Sequence, residues 1–122
     1  DCAGQPMTPA PPLLWNAQLG DTALGHSSDM AQQRYFNHTG KDGGNVGDRS
    51  RRAGYRWNRI GENIAFGINT PQAVVAGWLA SPDHCANIMN PGFTEMGAAY
   101  AVTPEKQAGL TYWTQVFGKP RT

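Results

Sequence analysis

The chain has 122 residues and a mass of 13.2 kDa, the size of one ordinary domain built on one hydrophobic core. Fifteen Gly and nine Pro against only 16% charged residues exclude a long coiled coil, a helical repeat array and a charge-driven disordered tail, while 39% hydrophobic residues with four Trp, four Tyr and four Phe suffice for a packed core. Ten Lys and Arg against nine Asp and Glu, a formal net charge of +1, remove the electrostatic argument for nucleic acid as the main partner, and no apolar run approaches the roughly 18 residues that span a bilayer.

In chain order, residues 1–12 carry Pro6, Pro9, Pro11 and Pro12 with no periodicity and are expected to form an extended arm, with a single domain following over 13–122. From Trp15 to Phe36 there is no Pro. Leu19, Ala23, His26 and Met30 recur there at the spacing of one helical face, beside a stripe of Ala17, Leu24, Ala31 and Tyr35. This predicts a long amphipathic helix in spite of Gly20 and Gly25, ending in Asn37-His38-Thr39-Gly40. Residues 41–45 read as a loop, and 46–53 as a short helix closed by Gly54. The apolar segment 60–65 suggests one further strand. Thr70 and Pro71 are the N-cap and first residue of a helix whose buried face runs through Ala73, Val74, Gly77 and Trp78. It stops before Pro82, because the residue preceding a proline is pushed out of the α region. Ser81-Pro82-Asp83 repeats the start signal for a short helix to Met89. Runs 96–102 and 110–117 read as an antiparallel hairpin joined by the loop 103–109. Helix, short helix, helix, then hairpin predicts an α+β sandwich rather than alternating βαβ units.

Two cysteines, Cys2 and Cys85, stand 83 residues apart, which excludes a CxxC metal or redox motif. A disulfide between them is expected, tying the arm to the body and implying an oxidising compartment, secreted or periplasmic; two unpaired thiols are the alternative. The chain starts at Asp1 with no Met and no charged-then-apolar leader, so export would mean that a leader has been removed.

Of three glutamates, only Glu62 sits inside an apolar stretch. A carboxylate there must face a polar cleft or be held by hydrogen bonds, since burying it unpaired costs several kcal/mol. His26, on the apolar face of the first helix, reads as a packed, hydrogen-bonded imidazole. His38 lies just past that helix, where it can overhang a cleft or cap the helix end. His84 falls in the first turn of a short helix, whose dipole disfavours the imidazolium and leaves a neutral ring available as metal ligand or base. The separations, 24 residues from His38 to Glu62 and 22 from Glu62 to His84, match no local metal signature. The cluster of Arg49, Arg51, Arg52, Arg56 and Arg59, interleaved with Tyr55 and Trp57, reads as a solvated helix face, with an anionic-surface patch as the alternative. No GxSxG motif is present, and a bridged Cys85 is no nucleophile.

Five segments in order carry a family resemblance: Ala31 to Thr39, Gly61-Glu62-Asn63-Ile64-Ala65, Trp78 to Met89, Met96-Gly97, and Tyr112 to Gly118. Together they resemble the CAP superfamily of cysteine-rich secretory proteins, antigen 5 and plant pathogenesis-related proteins, over most of Leu13 to Gly118, with the short, disulfide-poor form similar to its bacterial branch. The resemblance implies a three-layer α-β-α sandwich with a central antiparallel sheet, and a cleft where two His and two Glu converge and the His can hold a divalent metal, often zinc. His38, Glu62 and His84 match three of those four positions. The fourth is Ser81, three residues after Trp78, where animal and plant members have Glu; Ser81, Asp83 and Asn63 stand as cleft support. The expected function is a secreted, non-enzymatic module binding a small-molecule, lipid or cell-surface ligand as a monomer, with zinc on His38 and His84. The alternative is a metal-assisted, peptidase-like hydrolase with Glu62 as general base and His38 and His84 beside it. A third reading makes Glu62 and His84 a structural brace.

Overall fold

The architecture is that of a computed structural model describing Cys2, Gly4, residues 6–104 and residues 109–122; part of the loop expected at 103–109 lies outside these. Strand β1 (Leu14–Trp15) leads into helix α1 (Ala17–Gln33), followed by α2 (Val46–Arg52), β2 (Trp57–Phe66), α3 (Pro71–Ala80), α4 (Pro82–Met89), β3 (Glu95–Val102) and β4 (Thr111–Pro120).

Asn16 starts α1 by accepting from Leu19 N–H with its side chain. Leu19, Ala23, His26, Met30 and Ala31 form the buried stripe, joined by Thr22 and Ser27, while Leu24 of the adjacent stripe stays 49% exposed. The helix ends at Gln33 rather than running to Phe36, because Arg34 adopts a left-handed conformation (φ 55°) and returns its N–H to Met30 O. Helix α2 opens with a capping box between Asn45 and Asp48 and is closed by Gly54 at φ 90°. Thr70 caps α3 as expected, and Ser81, held extended before Pro82, both ends α3 and starts α4.

The sheet order is β1-β3-β4-β2. β3 and β4 form the expected hairpin pair, and β2 runs antiparallel to β4 along its whole length. Only β1 is parallel, pairing Leu14 with Glu95 and Trp15 with Met96; two residues are too short for any period to show in the sequence. Central β4 is buried from Thr111 to Gly118. On one face α1 packs Leu19 and Ala23 against Val116, and Met30 and Ala31 against Ile64 and Tyr112. On the other, Val74 and Trp78 of α3 cover Trp113. These are the three layers, sheet in the middle. Where α1 crosses β3 there is no space for a side chain: a Cβ on Gly97 would strike the backbone of Leu19 and Gly20. Cys2 and Cys85 form the expected disulfide, joining the N-terminal segment to α4, and no helix or strand occurs from Pro6 to Leu13. Among the described residues, no helix is long and apolar enough to cross a membrane.

Candidate functional site

Alternation along β2 fails at Glu62, Asn63 and Ile64, all buried, because both faces of this stretch are covered. Ile64 packs against α1, and Glu62, two residues away, shares that face. Its side chain is only 2% exposed and takes two partners: His38 Nδ1 at 2.8 Å and Arg49 Nη2 at 2.8 Å. His38 itself is 58% exposed. Arg49, reaching up from α2, also donates to Gly44 O and His38 O, each at 3.0 Å, and its Nε is buried without a partner among the described residues. Glu62 thus ties β2, α2 and the 38–44 loop together.

Asn63 points the other way, toward α4. Its Nδ2 donates to His84 O (3.1 Å) and to Gln115 Oε1 (3.3 Å), and Asn87 Nδ2 donates to Asn63 Oδ1 (2.9 Å) and Glu62 O (3.3 Å). This amide ladder seats α4 on the sheet. His84 Nδ1 lies 2.8 Å from Ser81 Oγ, the residue standing where the family resemblance places its second Glu. Asp83 is exposed in the first turn of α4, where its charge complements the helix dipole.

The structure therefore joins Glu62 to His38 and leaves His84 with Ser81. Glu62 braces the fold through Arg49 and His38, not through His84. Among the described residues no group of three or more His, Cys, Asp or Glu is placed to hold a metal ion, so the donor set does not fit a three-ligand zinc centre.

A cavity of about 630 Å³ opens between α1, the 40–42 loop and α2. Its wall includes Asp21, His26, Asp29, Lys41, Arg49 and Arg52, but none of His38, Glu62 and His84; of the two side chains bonded to the Glu62 carboxylate, Arg49 lines the cavity. His26 Nε2–H donates to Asn37 O at 2.8 Å, and burial holds its pKa below the ordinary value. Tyr35 O–H donates to Asp29 Oδ2 at 2.6 Å; burial and that carboxylate push the phenol up to about 12. Arg49 and Asn87 are the site residues that sequence reasoning passed over. For Arg49 a signal existed: Gly47 and Ser50 are the small, buried positions of α2, which puts Arg49 at the margin of the packed face.

Against known proteins, residues 6–117 match the cysteine-rich secretory protein family, CAP. The chain belongs to the CAP family. It is 37% identical over 106 residues to the YkwD protein of Bacillus subtilis (strain 168), covering 87% of this chain but only 39% of that protein. It superposes with a TM-score of 0.78 and 35% identity on an extracellular protein containing an SCP domain from Bacillus anthracis str. Ames, over 90% of this chain and 34% of that one. An outer surface protein from Borrelia burgdorferi shares the fold, with a TM-score of 0.82 at 23% identity over 92% of this chain and 80% of that one. The SCP domain it resembles at 35% identity is thus part of an extracellular protein.

Proposed function

We propose that this CAP domain is a secreted binding module that holds a small polar ligand, and that Glu62 acts as the brace of its site rather than as a base. One observation carries the reading: both oxygens of the buried Glu62 carboxylate are engaged, by His38 Nδ1 and Arg49 Nη2, each at 2.8 Å. A general base must meet a proton of water or substrate within hydrogen-bond reach, and the Glu62 side chain is only 2% exposed, with both oxygens turned to His38 and Arg49. The ion pair instead fixes Arg49 in the wall of the cavity, whose volume of about 630 Å³ falls in the usual range of small-ligand sites. With Asp21, Asp29, Lys41 and Arg52 beside it, the lining suits a ligand carrying both charges, or many hydroxyls and amides.

A divalent metal enters this reading only through His38 and His84. Glu62 and Ser81 engage the Nδ1 atoms, so a metal held there would take the Nε2 atoms. Two imidazoles without a third protein ligand make a weak site, so ligand capture does not depend on it.

The test assays the purified chain on peptide and ester substrates with and without added zinc, beside Glu62→Gln. No turnover is expected in either protein, while the variant, which leaves Arg49 without its counter-charge but keeps an amide in place, loses about 2 kcal/mol of stability. Zinc-dependent turnover that Glu62→Gln abolishes would overturn the reading in favour of a hydrolase.

A further inference from the structure

The basic residues of this nearly neutral chain are not spread evenly. Arg51, Arg56, Arg59, Lys119 and Arg121, all exposed, gather where the start of β2 meets the end of β4. Arg59 and Lys119 are direct cross-strand partners. Arg121 N–H donates to Arg56 O at 2.9 Å, and Arg121 Nε–H donates to Trp57 O at 3.2 Å, so these two arginines also lie side by side. Only Arg51 has a carboxylate, in an exposed pair with Asp48; the other four have no ion-pair partner among the described residues. Like charges directly opposite one another on a sheet are destabilising, and among the described residues no ion pair offsets this pairing. Between them, Arg51, Arg56, Arg121 and Trp57 line a hollow of about 100 Å³.

We infer that this end of the sheet is a docking surface for an extended phosphate-bearing polymer that lacks aromatic bases. Three arginines around one hollow offer the planar donor forks that grip a phosphate, and Arg59 with Lys119, on the other face of the same strand pair beside Gly92, puts further positive charge where a chain passing round the edge strand β2 would meet it. Two other anionic partners fit less well. A membrane surface is held most firmly where apolar side chains accompany the cations, yet none of the exposed large hydrophobics falls within residues 51–59 or 117–121. Single-stranded nucleic acid would call for a free aromatic platform, yet the half-buried Trp57 ring is covered by the Arg51 guanidinium, 4.6 Å from its centroid.

The experiment titrates the disulfide-intact chain with medium-length inorganic polyphosphate, and in parallel with orthophosphate, a single-stranded oligonucleotide and vesicles of mixed phosphatidylglycerol and phosphatidylcholine. Saturable polyphosphate binding is expected, weakening with salt, and each cation removed lowers the log–log salt slope by about 1. The double variant Arg56→Glu with Lys119→Glu binds about tenfold or more weakly, whereas Gln32→Glu with Gln72→Glu, which adds negative charge at exposed positions outside both the patch and the cavity, stays within about twofold. Lys119→Glu also converts a like-charge pair with Arg59 into an attractive one, so its Tm holds or rises and lost binding is not lost folding. The inference is overturned by absence of saturable polyphosphate binding, by equal loss in Gln32→Glu with Gln72→Glu, by orthophosphate binding as tightly as the polymer, by preference for the oligonucleotide, or by binding confined to vesicles.

Discussion

His26 and Arg49 sit on facing helices and had opposite prospects in the sequence. The periodicity of α1 placed His26 on a buried face, and it is a packed, hydrogen-bonded ring, 1% exposed. Burial lowers its pKa most; Glu62 and Asp29 pull it up and Arg49 pushes it down. The unfolded chain, with its imidazole near the ordinary value of about 6.5, therefore binds this proton more readily than the folded one. The sign follows: this contribution to stability is complete above that pH and is lost as the pH falls from there toward the lower folded-state pKa. The Tm is expected to fall between pH 7 and 5.5, and to fall less in His26→Gln, as scanning fluorimetry across buffers would show; an unchanged slope in the variant would refute it. Arg49 looked like one more arginine of a solvated run. Its role depends on Glu62 arriving from another element, and no pattern local to α2 contains that carboxylate.

Elements were legible where a period or a punctuation mark was strong. Thr70-Pro71 and Ser81-Pro82 set the starts of α3 and α4 because proline tolerates a first turn and disfavours helix in the residue before it. The end of α1 was misjudged because Arg34, a good helix former, takes a left-handed turn in which its own N–H and that of Tyr35 both return to Met30 O. Contact between elements left one readable trace, Gly97. Its Cβ position is filled by the α1 backbone at Leu19 and Gly20, and backbone cannot swing aside as a side chain does. Gly97→Ala is expected to force α1 off β3 and cost about 3 kcal/mol, read as a lower denaturation midpoint with far-UV circular dichroism retained. A variant as stable as the parent would show that the α1–β3 approach is not as tight as described.

For the whole molecule, the one covalent constraint is the Cys2–Cys85 bridge, closing a separation of 83 residues. Loop-closure entropy gives such a bridge about 4–5 kcal/mol, which for a chain of this size corresponds to about 10–20 °C in Tm. Reduction, or Cys2→Ser with Cys85→Ser, is expected to lower the Tm by that amount in calorimetry; a shift of a degree or two would mean that the N-terminal segment contributes little beyond its own attachment. Charge is also arranged at this scale. A net +1 conceals an ion-paired wall around Arg49 and an unpaired basic end at Arg56, Arg59, Lys119 and Arg121, which sums over composition average away.

By itself, the sequence determined the sandwich class, four helices, the β3–β4 hairpin, the expectation of a bridge between the only two cysteines and the singular position of Glu62. Each of these rests on local periodicity, helix start signals, the order of elements, apolar neighbours or a count of two. Tertiary structure alone decided the partners: that Glu62 takes Arg49 and His38, that His84 takes Ser81, that the cavity lies beyond Arg49, and that Arg59 faces Lys119. Such pairings depend on strand register and on which face of β2 each side chain occupies, and a single residue's shift in register would exchange the two faces.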